Sequence, residues 1–165
     1  MVVEAASGHA ASMEDTATLV VFSLDDAEYA LPLRKIVEGL RMVAITPIPE
    51  LPDSVHGVIN LRGRVIPILN LRRRLGLTSI PIDIHNPILV ADDNGRLVGL
   101  VVDEVIQMLT LPANAIDGPE ALGRSRQAVS SVARTGERLI LILDLECVCT
   151  VLDGVVIPED ALDEG

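Results

Sequence analysis

The chain has 165 residues, enough for one ordinary domain or for two small ones that share an interface. Its formal net charge of -11, its single Phe and Tyr and its lack of Trp exclude the positive field and the stacking platforms of nucleic-acid-binding proteins. No run approaches the roughly 18 apolar residues of a membrane-spanning helix, and no secretory signal opens the chain, so we expect a cytoplasmic protein.

The two ends of the chain differ in composition from the part between them. Residues 1–16 are rich in Ala, Ser and Gly without periodicity, which predicts a disordered N-terminal tail. Residues 155–165 predict an acidic C-terminal tail, so a single domain is expected over residues 17–154. Within it the connector 112–131 is long, and connectors of that length are usually functional or mobile.

Short β-branched runs between Pro, Gly and Asp fill the predicted domain, which is typical of many short strands. The stretches "DDAE" (25–28) and "DDNG" (92–95) place turn-forming residues between apolar runs and predict two hairpins. We therefore predict an all-β chain with strands near 18–24, 28–33, 41–47, 57–62, 64–70, 87–93, 96–102, 105–111, 131–135 and 138–143.

The sequence also repeats itself once. "RVIPILNL" (64–71) aligns on "RLILILDL" (138–145) at an offset of 74, and "YALPLRKIV" (29–37) aligns on "VGLVVDEVI" (98–106) at an offset of 69. Each half then has a hairpin, a third strand, a Pro-containing connector, a second hairpin and a short helix. We predict two five-stranded subdomains, each closed into a small barrel, over about 17–82 and about 83–154.

Residue types that supply catalysis are present but do not converge. The carboxylate pairs at 25–26 and 92–93 fall in the predicted hairpin turns, where they serve local hydrogen bonding. Asn70 and Asp144 are predicted to cap the two short helices, and Cys147 and Cys149 lie roughly 200° apart on the second, so they cannot share a metal. The histidines are interpreted as surface or tail residues: His9, His56 and His85. We predict no catalytic residue, cofactor or metal.

The arginines cluster in the stretch "HGVINLRGRVIPILNLRRRLGL" (56–77) and divide into two groups. Those at 72–74 follow Asn70 on a short helix, point about 100° apart and are interpreted as a solvated helix surface. Arg62 instead precedes Gly63 at the junction of two strands, where a guanidinium suits recognition of a carboxylate or of backbone carbonyls on another chain. An Arg62 that serves only solubility remains an equal alternative on spacing alone.

The same stretch resembles the signature of the CheW family of chemotaxis coupling proteins. The resemblance extends from about Leu19 to Leu152 and includes "VFSLDDAEYALPLRKIVEGL", "RLVGLVVDEVIQML" and "RLILILDLECV". It implies two SH3-like five-stranded barrels side by side, with short helices in connectors and near the C-terminus. It further implies a non-enzymatic adaptor that joins the regulatory domain of the histidine kinase CheA to the helical cytoplasmic tips of chemoreceptors, and that is recruited to membrane-associated receptor arrays.

The resemblance also implies which residues face these partners. From the first half they are Glu38, Gly57, Asn60, Arg62 and Gly63, and from the second half Gly99, Val105 and Met108. Glu38 and Arg62 are implied to lie close enough to interact. Our hypothesis is that Glu38 holds Arg62 in one rotamer, so that the guanidinium loses less entropy when a receptor helix binds.

Two alternatives stay open at this point. The first is a CheW-like adaptor of a non-flagellar chemosensory pathway that controls twitching motility, biofilm formation or development. The second is a small-ligand-binding or catalytic protein that uses the cleft between the barrels, with Arg62, Asp103 and Glu104 as its polar groups. This second alternative predicts a deep pocket in which these ionisable groups converge.

Overall fold

The structure is a computed structural model that describes residues 15–78, 80–118, 120 and 128–158. The strands in this part are β1 (Thr16–Leu24), β2 (Ala27–Pro32), β3 (Ile36–Leu40), β4 (Val55–Leu61), β5 (Arg64–Asn70), β6 (Ile88–Asp93), β7 (Arg96–Val101), β8 (Glu104–Pro112), β9 (Ile116–Asp117), β10 (Val129–Thr135) and β11 (Arg138–Leu143). The helices are α1 (Leu71–Arg74) and α2 (Leu145–Val148), with 3-10 turns at Leu33–Lys35, Ala113–Ala115 and Cys149–Leu152.

The predicted tails lie mostly outside the described residues. Of the N-terminal tail only positions 15 and 16 are described, and Thr16 already begins β1. Of the C-terminal tail only residues 155–158 are described. Within the connector 112–131, the described residues include a 3-10 turn and the short strand β9, which the sequence pattern did not predict.

Two sheets carry the strands. The six-stranded sheet has the order β8-β1-β2-β11-β10-β9, and the five-stranded sheet has the order β3-β6-β7-β5-β4. A bridge between Thr46 and Val58 adds the segment after β3 to the free side of β4. The prediction of an all-β chain with two SH3-like barrels side by side is confirmed.

The predicted hairpins are confirmed, but the third predicted strand is wrong. β1 pairs with β2 and β6 with β7, both antiparallel, around the turns at 25–26 and 94–95. The third strand is β3 and not 41–47, because Leu40 already lies opposite Ile88, the first residue of β6. The apolar residues beyond Leu40 therefore have no further residue of β6 to pair with, and only the bridge between Thr46 and Val58 forms.

The repeat has a structural counterpart, but the two halves are interleaved. Hairpin β1–β2 of the first half lies in the six-stranded sheet with β8 to β11, and hairpin β6–β7 of the second half lies in the five-stranded sheet with β3 to β5. The division into barrels at 17–82 and 83–154 is therefore wrong. The physical cause of the interleaving is that β5 pairs in parallel with β7, and β11 pairs in parallel with β2. A tight turn cannot join two parallel strands, so in each of these pairs one strand comes from the first half of the sequence and the other from the second half.

Equivalent positions of the two halves nevertheless occupy equivalent places. Ala30 of β2 lies opposite Ile142 of β11, and Gly99 of β7 lies opposite Ile68 of β5, as the offsets of 69 and 74 require. The side chains of Asn70 and Asp144 accept hydrogen bonds from the third residues of α1 and α2, at 3.3 and 3.2 Å. Both predicted helix caps are thus confirmed.

The main apolar core lies between the two sheets. Its members come from both, including Phe22 and Leu31 of the six-stranded sheet and Leu69 and Leu100 of the five-stranded one. The only two aromatic residues of the chain, Phe22 and Tyr29, face each other across β1 and β2 with ring centroids 6.4 Å apart. Smaller clusters fill the interior of each barrel. Since the largest cluster is shared, the barrels form one packed unit.

Candidate functional site

The hairpin between β4 and β5 presents Arg62 at its tip. Arg62 and Gly63 have φ values of 51° and 85°, the positive values of a tight two-residue turn that matches the strand twist. The Asn60 side chain accepts a hydrogen bond from the Gly63 amide at 2.8 Å, which fixes the turn from inside the hairpin. Asn60, Arg62 and Gly63 therefore form one local structure that sets the direction of the Arg62 side chain.

Glu38 holds the Arg62 guanidinium through two hydrogen bonds. Arg62 Nη1 donates to Glu38 Oε2 at 2.5 Å, and Nη2 donates to Oε1 at 2.9 Å. Glu38 lies on β3, at one edge of the five-stranded sheet, and Arg62 follows β4, at its other edge. The pair therefore joins the two edges of one barrel. Arg62 remains 68% exposed at its side chain, against 25% for Glu38.

The pair keeps both groups charged. The hydrogen bond from Arg62 holds the pKa of Glu38 below its usual value, and the same bond raises the pKa of Arg62. In the described structure Glu38 takes two of the five guanidinium N–H donors. The arrangement can thus present the other donors, in fixed geometry, to carboxylates or backbone carbonyls of a partner.

The two other glycines implied by the resemblance are buried. A Cβ at Gly57, on β4, would lie 2.3 Å from the carbonyl oxygen of Thr46, the residue that bridges to Val58. A Cβ at Gly99, on β7, would lie 2.5 Å from Ile68 Cδ1. Neither residue offers a surface to a partner in this structure, since both are covered by neighbouring chain. They set how closely the strands of the five-stranded barrel approach.

Val105 and Met108 lie on the other sheet, along its edge strand β8. Residues 104–108 are all exposed, with Val105 39% and Met108 63% exposed. Between Val105 and Gln107 the pairing with β1 shifts by one residue at Ile106, which is a β-bulge. The second-half residues thus form an apolar edge, separate from the Glu38–Arg62 pair, and a single partner would have to contact both sheets.

The interpretation of the arginines at 72–74 as a solvated helix surface is wrong for Arg72 and Arg74, which are partly buried, whereas Arg73 is exposed. Arg72 donates from Nε and Nη2 to the two carboxylate oxygens of Asp103, at 2.9 and 2.7 Å, and its side chain is only 12% exposed. Its Nη1 lies 3.6 Å from Asp25 Oδ1 and donates to the Thr78 carbonyl at 2.8 Å. Positions 72 and 103 are 31 residues apart, so no local pattern pairs them.

Other arginines hold α2 and the 3-10 turn after it against the five-stranded sheet. Arg74 donates to the carbonyls of Cys147 and Val148 at 2.7 and 2.8 Å, and Arg96 donates to the carbonyl of Cys149 at 3.2 Å. These are carbonyls at the end of α2 and in the 3-10 turn that follows, where cations are favourable. The arginines therefore act as internal ties, and Arg73 pairs with Asp53 on the same barrel.

The polar groups proposed for a ligand cleft do not converge. Arg62 pairs with Glu38, Asp103 pairs with Arg72, and Glu104 is exposed. The space beside Arg72 and Asp103 is about 10 Å³, at the lower limit for one water molecule. A groove of about 560 Å³ lies elsewhere and has Arg34 as its one ionisable side chain among the described lining residues.

Neither a metal-binding cluster nor a membrane-spanning helix is present among the described residues. No group of three His, Cys, Asp or Glu side chains in this part of the chain is arranged to hold a metal ion. In residues 15–158, apart from the gaps given above, no helix combines the length and the apolar composition needed to cross a membrane.

The Cys149 thiol is predicted to make the fold sensitive to alkaline pH. Burial, with Asp93 nearby, raises the pKa of Cys149 to about 12 from 9.0. The unfolded chain therefore loses this proton first, and stability is lost between about pH 9 and pH 12, by roughly 1.4 kcal/mol per pH unit. Urea unfolding at pH 8 to 10.5 should show a smaller loss for Cys149→Ala than for the wild type. Cys147→Ala should keep the wild-type loss, and parallel curves for all three would contradict the prediction.

A family model, curated proteins and a solved structure are similar to this chain. The family model described as "CheW-like domain" matches residues 18–151. "Chemotaxis protein CheW" of Helicobacter pylori is 31% identical over 81% of this chain and 81% of its own length, and the protein of that name from Thermotoga maritima is 33% identical over 81% and 90%. The crystal structure of the scaffolding protein TtCheW from Thermoanaerobacter tengcongensis is similar with a TM-score of 0.76, at 32% identity over 81% of this chain and 92% of that one.

Proposed function

Because the chain belongs to the CheW-like domain family, we propose that it is a non-enzymatic adaptor that couples chemoreceptors to the histidine kinase CheA. Relatives named as chemotaxis and scaffolding proteins support the adaptor role. The receptor contact would be the cytoplasmic helical tip, and the kinase contact its regulatory domain. The protein would then work in the cytoplasm, recruited to membrane-associated receptor arrays without entering the membrane itself.

The observation that carries the proposal is the Glu38–Arg62 pair at the hairpin tip. A long side chain usually loses rotamer freedom when it binds, at a cost of about 0.5–1.5 kcal/mol for a typical interface side chain. Two hydrogen bonds to Glu38 have already removed part of that freedom from Arg62. The guanidinium nevertheless stays accessible, which a purely structural ion pair does not require. Arg62 is therefore suited to meet a partner in its bound conformation.

The apolar edge at β8 supports a helical partner over an added strand. An unpaired edge can extend a sheet, but bulges and charges on the edge oppose that pairing. β8 has both, with the bulge at Ile106 and the carboxylate of Glu104 at its start. Val105 and Met108 can instead pack against the apolar positions of a helix, and Met adapts well to irregular contacts.

The kinase contact would use a different part of the surface. Apolar side chains are also exposed at Leu33, in the turn after β2, and at Leu139, at the start of β11, which lie at opposite ends of this parallel pair of strands. Exposed apolar residues near barrel ends suit a second protein partner. Separate surfaces would let one molecule hold receptor and kinase together.

The test is assembly with a receptor fragment and CheA. Wild-type protein should form a ternary complex with a soluble receptor signalling fragment, detected by analytical ultracentrifugation, and should place kinase activity under receptor control. Met108→Glu, which puts a charge on the β8 edge, should weaken binding to the receptor fragment about tenfold. Ile84→Glu, which changes a side chain 78% exposed in the connector after α1, is the matched control and should bind normally. Absence of any complex with wild-type protein would refute the proposal.

A further inference from the structure

The two sheets are connected by the chain at a short crossover after β7. β7 lies in the five-stranded sheet and β8 in the six-stranded sheet, with only Val102 and Asp103 between them. The Asp103 amide donates to the Ser23 carbonyl at 3.1 Å, and the Asp103 side chain accepts from the Asp25 amide at 2.8 Å. Asp103 is thus fixed to the turn region of hairpin β1–β2, in the six-stranded sheet.

Arg72 reaches this crossover from the other side. It lies on α1, which directly follows β5 of the five-stranded sheet, and its guanidinium binds both oxygens of Asp103. Burial alone would raise the pKa of Asp103. The hydrogen bonds from Arg72 and from the Asp25 amide outweigh that effect, so the pKa of Asp103 lies below its usual value. The Arg72–Asp103 pair is therefore charged, largely shielded and clamped between the two sheets.

We propose that Arg72 is a positioning residue that fixes β8, and with it Val105 and Met108, relative to the β4–β5 hairpin that carries Arg62. β8 begins one residue after Asp103, and α1 begins one residue after β5 ends at its cap. A change in the Arg72–Asp103 contact would therefore shift the two parts of the candidate site against each other. The inference rests on the proposed function for its binding readout, and on the described contacts for its geometry.

The repeat shows that an ion pair at this place is not a general requirement of the fold. At the equivalent positions of the other half stand Arg34 and Glu146, which have the opposite charges at the same two places. The structure shows no ion pair between these two side chains, and both are exposed. An ion pair thus connects the two sheets at the crossover that leads into Val105 and Met108. The equivalent residues, Arg34 and Glu146, form no such pair.

The test compares Arg72→Ala, Arg72→Lys and Asp103→Asn with Arg73→Ala in the full chain. Arg73 lies on the same helix and gives the same change in charge, but its partner Asp53 is in the loop before β4. Binding of the receptor signalling fragment is measured by calorimetry, and the relative orientation of the two sheets by residual dipolar couplings of their amides. Arg72→Ala and Asp103→Asn should bind about tenfold more weakly and show reoriented sheets. Arg72→Lys should recover part of the loss, and Arg73→Ala should match the wild type.

A double-mutant cycle separates positioning from a general loss of stability. If Arg72 acts through β8, Arg72→Ala should weaken binding much less when Met108 is already alanine, whereas plain destabilisation would add to the Met108→Ala effect in full. Normal binding by both Arg72→Ala and Asp103→Asn would overturn the inference, as would additive effects in the cycle. If wild-type protein does not bind the receptor fragment, the proposed function fails, and the inference is decided by the dipolar couplings alone. Unchanged couplings overturn it and reoriented sheets support it.

Discussion

Replacing Arg62 by alanine is expected to weaken binding of the receptor fragment about thirtyfold, with little change in thermal unfolding. The guanidinium is exposed at the tip of the β4–β5 hairpin and is already ordered by Glu38. Its loss removes the contact and leaves the core untouched, since the side chain lies outside every apolar cluster. Calorimetric titration with the receptor fragment measures the change in affinity, and a thermal melt of the free protein measures the change in stability.

The control for Arg62→Ala is Arg64→Ala on the same hairpin. Arg64 is exposed and its loss changes the net charge equally, but it has no bond to Glu38. It should bind the fragment within about twofold of the wild type, a change of the size expected for a rim charge. Equal losses in the two variants would mean that only net charge matters, and the specific role of Arg62 would then be rejected.

Glu38→Ala tests whether Glu38 orders the Arg62 side chain before the receptor fragment binds. Without its carboxylate, Arg62 keeps its donors but regains its rotamer freedom, so binding should weaken by about three- to tenfold, less than for Arg62→Ala. An unchanged affinity for Glu38→Ala beside a strong loss for Arg62→Ala would show that the ion pair does not prepare the guanidinium.

Gly57→Ala is expected to destabilise the fold by about 3 kcal/mol. The new Cβ would lie 2.3 Å from the Thr46 carbonyl oxygen and 2.9 Å from its carbonyl carbon, which are backbone atoms that cannot rotate away. The strand segments would separate, breaking the two 2.9 Å hydrogen bonds between Thr46 and Val58. Urea unfolding should show the loss in stability, and hydrogen exchange should show that the amides of Thr46 and Val58 become less protected.

Gly39→Ala is the matched control for this substitution. Gly39 also lies in a strand, β3, but a Cβ there meets only Leu89 Cδ2 at 3.9 Å, an ordinary contact. Its stability should therefore equal or slightly exceed that of the wild type. If Gly57→Ala were as stable as Gly39→Ala, the close approach of Thr46 to β4 would be wrong.

Local patterns in the sequence predicted the elements well. The Asp-containing turns identified both hairpins, and Asn70 and Asp144 identified both helix starts, because each of these signals acts over four residues or fewer. The Arg62-Gly63 step between two apolar runs predicts a turn, and the structure places Arg62 at that turn. The contact with Glu38 was implied by the family resemblance and not by spacing.

The features that sequence could not predict all depend on distant pairing. The apolar run at 41–47 has the composition of a strand but lies beyond the end of β6. The interleaving of the halves follows from parallel pairs whose partners the repeat does not reveal. The role of Arg72 required knowing that Asp103 lies at a crossover between sheets, since neither residue is unusual in its own neighbourhood.

The interleaved halves also impose an order on folding during synthesis. The five-stranded sheet has all its strands once β7 has been made, whereas Ala30 of the first hairpin must wait for Ile142, more than a hundred residues later. Roughly forty residues separate these two moments, a few seconds at typical rates of translation of about 5–20 residues per second. During that time the apolar face of β1 and β2, including Phe22 and Leu31, has no β11 to complete its sheet. β1 and β2 thus leave the ribosome before the other strands of the described residues but are among the last to reach their final partners.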